Sequence, residues 1–366
     1  MCISLKNEDL IKIQAKTDEF KYEFLRRYIP MWNKIICKNR RVYRAIIDTH
    51  AGSGYVNLNG ESVFGSSLIF LKQTALIQEA LDFYFIEKNL KNYNMLKRSL
   101  GRVIKKGFYF SGKDKGTIQK VKYIEGLPVI IEAPKYQPVT KYPNQKNIHI
   151  YNGNCQKEID HILPLINGRP CFFFIDPCGK CDWNLIYKII SNRLIDDDGN
   201  VRVDENGAKI QGTELLINWS WEAILRNKSK ESLKQSFFKK MYGREFSIIL
   251  NLVKDIEKKY KKSGIRYSEY NLFLEVYKDQ LREFYHYVYD ISILGLRSSQ
   301  NPIYSLIFCT NNKSAKNLFL NIESDLNLKK KSYIALKNLS SNKKEFTIEK
   351  FNEIIRGNKR IDDYFN

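Results

Sequence analysis

Tyr43-Arg44-Ala45-Ile46-Ile47-Asp48-Thr49-His50-Ala51-Gly52-Ser53-Gly54 decides how this chain of 366 residues is read. A short apolar run ends in an acid, then in a turn with glycine at two positions, which is the pattern of a strand feeding a ligand loop. The carboxyl end of the first strand is where a doubly wound sheet binds its ligand. Gly52 and Gly54 let a ligand approach the backbone closely, Asp48 sets a carboxylate beside the turn, and His50, Ala51 and Ser53 complete the candidate loop. The loop runs on through Phe64-Gly65-Ser66-Ser67 before helical spacing begins. That is longer than a dinucleotide fingerprint allows, which argues against a pyrophosphate cradle.

Working outward, short apolar runs alternate with amphipathic stretches, as in the βαβ units of a mostly parallel sheet. Tyr43 to Asp48, Phe83 to Glu87, Ile148 to Tyr151, Cys171 to Asp176, Glu214 to Trp219 and Tyr304 to Thr310 read as strands. Ser66 to Glu79, Leu90 to Leu100, Gln156 to Leu163 and Trp183 to Ser191 carry apolar residues at three- and four-residue spacing and read as the crossover helices. The fold class expected is α/β: a Rossmann-like, doubly wound sheet with an N-terminal helical extension and a helical insertion. Residues 1–42 form the lead-in and 43–221 the core, with an elaborated loop or small β insertion at 101–146. Residues 222–290 are read as a helical insertion, and 291–366 as the closing strands with a basic C-terminal region.

The ends of the other strands carry the remaining chemistry. Glu87 closes the second strand, where its carboxylate can accept hydrogen bonds from both hydroxyls of a ribose; a Glu at this point also suits a helix start. Asn154 and Cys155 follow the third strand in Asn152-Gly153-Asn154-Cys155, where a side-chain amide can hold an adenine ring. Asp176-Pro177-Cys178-Gly179 ends the aromatic strand Phe172 to Ile175. A carboxylate beside a proline carbonyl can hold an amino or hydroxyl nucleophile, although Asp-Pro is also ordinary turn chemistry.

Taken together, Asp48 to Gly54, Glu87, Asn154 and Asp176-Pro177 resemble motifs I to IV of class I S-adenosylmethionine-dependent methyltransferases. More closely, FKYEFLRRYIPMW, IIDTHAGSGYV, GSSLIFLK, FYFIEKN, FFIDPCG and LLINWSWEAILR resemble the three-Cys-motif partner proteins. The likeness covers roughly the first two thirds of the chain and resumes weakly at IYSLIFCTNN. It implies an S-adenosylmethionine cofactor and a methyltransferase acting on an amino group of nucleic acid or a related substrate. The alternative it implies is a catalytically weak module that assembles with a cysteine-motif, radical-SAM-like protein. It further implies Lys21 on the ligand carboxylate, whereas charge pattern alone puts Lys21 on a solvated helix face. The DTHAG block is also similar to that of large-subunit ribosomal RNA adenine-N6 methyltransferases. Those continue Asp-Pro-Pro-Tyr, and here Cys178 and Gly179 replace the last two residues. The Pro177-Cys178 dipeptide is similar to that of cytosine-C5 methyltransferases, in which the cysteine is the nucleophile. The glutamate and threonine-cysteine motifs of those enzymes are missing, and Cys309-Thr310 has the reverse order.

Composition agrees with a nucleic-acid partner. Lys and Arg number 61 against 40 Asp and Glu, a net charge of +21, which draws the chain toward polyanions. An AT-rich coding sequence would also enrich lysine. Residues 222–366 carry 28 basic and 17 acidic side chains, so the excess is spread along the chain rather than gathered in a tail. Basic residues alternate with Tyr and Phe at 20–44 and 101–146, as a stacking and phosphate-binding surface requires. Seven cysteines, an odd number without dense spacing, suggest reduced thiols. Cys178 and Cys181 form a lone CxxC with no second ligand pair, so free thiols are expected and no metal. Asp196-Asp197-Asp198-Gly199 is out of register for a calcium loop and reads as a hairpin. No apolar run reaches the roughly 18 residues of a membrane span, so a cytoplasmic protein with no membrane contact is expected.

Overall fold

A computed structural model describes residues 20–36, 43–58, 61–74, 81–105, 121–124, 127–130, 146–177, 179–229, 231–264, 267–294 and 302–326. A central sheet is built from β1 (Arg44–Asp48), β4 (Leu81–Ile86), β7 (Lys146–Tyr151), β8 (Cys171–Ile175), β9 (Thr213–Ser220), β10 (Tyr287–Leu294) and β11 (Pro302–Thr310). The strand order is β10-β11-β9-β8-β1-β4-β7. β1 is parallel to β4 and β8, and β7 and β9 extend the parallel pairing on either side. β11 alone runs antiparallel to both of its neighbours, β9 and β10. The chain moves from β1 out to β7, then returns to β8 on the other flank of β1. The order therefore reverses at Asp48, the last residue of β1.

Every residue of β1, β4 and β8 is buried, so these strands are covered by helices on both faces and carry charge only at Arg44, Asp48 and Asp82. Alternate residues divide between two cores. Ala45, Ile47, Phe173, Ile175, Leu215 and Ile217 face one side. That side is covered by α4 (Cys155–Leu165), α5 (Trp183–Leu194), α6 (Trp221–Lys228), α7 (Glu231–Tyr242), α8 (Phe246–Lys262) and α9 (Glu269–Arg282). Ile46, Phe83, Phe85, Phe172, Phe174 and Phe308 face the other, beneath α1 (Phe20–Ile36), α2 (Ser66–Gln73), α3 (Leu90–Lys105) and α10 (313–326).

The four-residue steps Phe20, Phe24 and Tyr28 bury one face of α1, as their spacing predicts. Tyr28 lies 5.6 Å from the ring of Phe172 and 5.1 Å from that of Phe308. Its hydroxyl donates to Glu214 Oε2 at 2.6 Å, and Thr310 donates to Oε1 at 3.1 Å, so α1 is pinned to β9 and β11 through one buried carboxylate. At the amino end of the strands, Asp82 accepts from Tyr43 at 2.5 Å, Asn147 at 2.7 Å and Arg169 at 2.9 Å. The Arg169 guanidinium also lies over the Tyr43 ring, 4.0 Å from its centre.

The structure departs from the expectations at some points and agrees with them at others. Between Gly54 and α2 the chain is not a plain loop but a hairpin of β2 (Tyr55–Leu58) and β3 (Glu61–Phe64). α3 continues to Lys105, past the glycine expected to open the insertion. Within 101–146, β5 (Val121–Ile124) and β6 (Leu127–Ile130) pair antiparallel, the small β element anticipated there. β10 begins at Tyr287, inside the range read as helical, because Leu281, Tyr285 and Val288 also fit a three- to four-residue repeat. The segment 195–210 forms two successive antiparallel bridges, Ile195 with Val201 and Val203 with Lys209. Asp196 Oδ1 accepts from the Asp198 and Asn200 amides within the first turn. Residues 1–19 of the lead-in, 75–79 of the second helix and 327–366 of the basic C-terminal region lie outside the described residues. Among the described residues no helix is long and apolar enough to cross a membrane.

Candidate functional site

Three acids come together at the carboxyl edge of adjacent strands: Glu87 after β4, Asp48 ending β1 and Asp176 after β8. Asp48 is fully buried. Its Oδ1 accepts from the His50 amide at 3.1 Å and its Oδ2 from the Ser66 hydroxyl at 2.6 Å, so it ties the ligand loop to the first turn of α2. Burial raises its pKa to about 7; the two hydrogen bonds oppose that rise, and the neighbouring charges of Asp176 and Glu87 add to it.

The loop itself is shaped by backbone. Thr49 and Ala51 amides donate to Phe174 and Ile86 carbonyls at 3.1 and 2.9 Å, stitching the loop to both neighbouring strands. Gly52 and Gly54 have φ of 64° and 83°, in the region glycine favours. A Cβ on Gly52 would meet nothing within 4 Å, so this side of the turn is open, whereas one on Gly54 would come 3.0 Å from Ser99 Cβ. Gly54 is thus required by α3, whose Ser99 hydroxyl donates to the Ser53 carbonyl at 3.0 Å. Glu87 accepts the Gly52 amide on Oε2 at 2.9 Å and the Asn89 amide on Oε1 at 2.6 Å, linking the turn to the start of α3.

Thr49 Oγ1 donates to Phe174 O at 3.2 Å, which leaves it to accept from His50 Nδ1–H at 2.8 Å. The Nε2 lone pair of His50 then faces Cys155 Sγ at 3.6 Å. Burial pulls the His50 pKa down to about 4 and pushes the Cys155 thiol up to about 11, so this pair is a neutral imidazole beside a thiol. Asn154 caps α4, its Oδ1 accepting from the Gln156 amide at 3.0 Å. The acceptor expected to hold an adenine is therefore already bonded, although Asn154 is exposed.

Asp176 is held from two sides. Lys21 Nζ lies 2.7 Å from Oδ2, and Asn218 Nδ2 donates to Oδ1 at 2.5 Å. Lys21 is thus not on a solvated face: its side chain is 20% exposed. Burial acts to lower its pKa, but the Asp176 carboxylate outweighs that and raises it. The Pro177 carbonyl accepts from the Gly179 amide at 2.8 Å. Cys178 lies outside the described residues, as do Cys2 and Cys37. Cys155, Cys171, Cys181 and Cys309 are free thiols. Among the described residues no group of His, Cys, Asp and Glu could hold a metal ion.

The sequence reading did not find Asn218, Ser66 or Ser99. Asn218 had a signal: it is the polar residue near the end of β9, next to the strand that Asp176 follows. Ser66 and Ser99 had none, since a helical serine is as often a solvated one.

A scan of protein-family models finds no match to the chain, and a search of the curated proteins finds none. Among solved structures, protein LPL1258 from Legionella pneumophila str. Philadelphia 1, described under family model DUF519, is similar at 11% identity over 87% of this chain and 92% of that one, with a TM-score of 0.32. Likeness at that level carries no argument about this chain, whose site stands on its own geometry.

Proposed function

We propose that the chain is a class I, S-adenosylmethionine-dependent methyltransferase acting on an amino group of nucleic acid or a related substrate. One observation carries this reading: Glu87, Asp48 and Asp176 close three adjacent parallel strands around a glycine turn at the point where strand order reverses. The residues present fit the cofactor. The turn is open at Gly52, Glu87 is a partly exposed acceptor suited to ribose hydroxyls, and Lys21 is a half-buried cation suited to a carboxylate. When bound, S-adenosylmethionine supplies an electrophilic sulfonium methyl group.

What the chain supplies is orientation. Asp176, braced by Lys21 and Asn218, and the Pro177 carbonyl are acceptors for the two N–H groups of an amine. Holding both turns the nitrogen lone pair in a fixed direction, and no covalent enzyme intermediate is needed. The test uses radiolabelled methyl donor with nucleic acid from the native host. Wild-type chain transfers label and Asp176→Ala abolishes transfer, while calorimetry still registers cofactor binding by the variant. Cys178→Ser keeps activity. Loss of activity in Cys178→Ser, with covalent trapping on a fluorinated cytosine, would replace the amine reading by cytosine-C5 chemistry. No cofactor binding, together with recovery of a stoichiometric protein in a nuclease-treated pull-down, would favour the assembling module.

A further inference from the structure

Some cations at the surface of the molecule pair with acids. Arg27 pairs with Glu23 and Asp325, Lys188 with Asp160, Lys228 with Glu269, and Lys239 with Glu245. α3 has no such pair among its described residues and no acid of its own. Its sequence, Leu-Lys-Asn-Tyr-Asn-Met-Leu-Lys-Arg-Ser-Leu-Gly-Arg-Val-Ile-Lys, contains no acidic residue. Lys91, Lys97, Arg98 and Arg102 form no ion pair among the described residues; Lys97 lies over the Tyr93 ring at 5.4 Å.

The pattern is not a by-product of lysine-rich composition. α8 also carries five lysines, but Asp255 and Glu257 lie among them, and three lysines occupy its last turn, where the helix dipole favours cations. In α3 the first cation, Lys91, sits in the first turn with Lys88 just ahead of it, where the dipole disfavours positive charge and the turn itself holds no acid. The placement is also fixed. Leu96 and Leu100 are buried in the core, and Ser99 is bonded to the ligand loop. Lys91, Arg98 and Arg102 are exposed at i, i+7 and i+11, one line along the helix. That line spans about 16 Å, the axial length of about five base pairs. It starts at the rim of the site, four residues after Glu87.

We infer that the exposed face of α3 is a phosphate-backbone track that holds a nucleic-acid strand beside the site, with Lys91, Arg98 and Arg102 each neutralising a phosphate. The inference rests on the nucleic-acid substrate of the proposed function and specifies where that substrate is gripped. Leu90 and Met95 are exposed beside this line, but two apolar side chains fall short of the apolar face that an interfacial membrane helix buries, whereas phosphate-spaced charge in a line complements a nucleic acid.

The test measures fluorescence anisotropy of full-length chain with a labelled RNA stem-loop and with DNA duplex of matching sequence, across a salt series. The variant is Lys91→Gln/Arg98→Gln/Arg102→Gln, and the control is Lys254→Gln/Lys258→Gln/Lys262→Gln on α8, with the same loss of charge. The expected result is a log-log salt slope shallower by about 2 to 3 for the α3 variant, about 0.7 to 0.9 per lost phosphate contact, with the control unchanged. Whichever of RNA and DNA gives the steeper wild-type slope is the source of the phosphates. Equal change in both triple variants overturns the α3 track but leaves the nucleic-acid reading standing. Absence of binding to either nucleic acid, or binding only to phosphatidylserine vesicles, overturns both. Cofactor calorimetry on the same variants reads the methyltransferase proposal separately. If the triple variant melts early, Arg98→Gln and Arg102→Gln alone should each take about 0.7 to 0.9 from the slope.

Discussion

Asp82 and Asp48 are buried carboxylates on neighbouring strands, one at the amino edge of the sheet and one at the carboxyl edge. Asp82 is met by a guanidinium, an amide and a phenol. Asp48 has a hydroxyl and one backbone amide, no cation, and two other acids nearby. The amino edge is closed by interactions that satisfy the charge fully. At the carboxyl edge Asp176 has Lys21, but Asp48 keeps an acid that its neighbours do not neutralise, and such an imbalance is a feature of sites where stability is given up for chemistry.

The comparison is broken most easily at the closed edge. Asp82→Ala should cost about 3–5 kcal/mol in chemical denaturation, because Arg169, only 12% exposed, loses its counter-charge. A loss below about 1 kcal/mol would mean that the amino edge is not the clamp described here.

Next in size is the pH response of Asp48. Its pKa is raised by folding, so its contribution to stability is fully present below the unfolded carboxylate pKa, near 4, and is lost as pH rises to about 7. Wild type should lose on the order of 2–4 kcal/mol across that window relative to Asp48→Asn. His50 works in the opposite sense, since its depressed pKa makes stability fall as pH drops from about 6.5 toward 4. The difference between the two proteins, rather than the wild-type curve, isolates the aspartate. Parallel curves would show that Asp48 titrates normally.

These two edges also separate what sequence can reveal from what it cannot. The strand cores were legible because the buried stretches 45–47 of β1, 83–86 of β4 and 171–175 of β8 appear as apolar runs. The loop at Gly52 and Gly54 and the acids at 87 and 176 were legible because they follow those runs directly. β2 and β3 were missed although Asn59-Gly60 between two short runs is a hairpin signal. The pairing of Lys21 with Asp176 was not legible, because 155 residues separate them and no local pattern encodes that distance. Asp82 gave no signal at all: an acid at the start of a strand looks like the end of a turn.

Two smaller effects sharpen the contrast at the open edge. Glu87→Ala should weaken S-adenosylmethionine binding by about 1–3 kcal/mol in calorimetry, the cost of lost charge-assisted hydrogen bonds. Unchanged affinity would remove Glu87 from the cofactor site. Asn154→Ala should lower stability by about 1 kcal/mol through loss of the α4 cap, with a smaller effect on cofactor affinity. The reverse ranking, affinity falling more than stability, would restore Asn154 as a direct ligand.

The clamp formed by Tyr28, Glu214 and Thr310 sets a timetable for the molecule as it is made. Tyr28, at the middle of α1, leaves the ribosome early, and Thr310 follows 282 positions later. At about 5–20 residues per second, that separation is about 14 to 56 seconds of synthesis. Throughout that interval Phe24 and Tyr28, both fully buried in the finished fold, have no Phe308 of β11 to lie against. An apolar helix waiting that long is a natural client for a chaperone, and Lys21, carried on the same helix, can reach Asp176 only after β8 has been made.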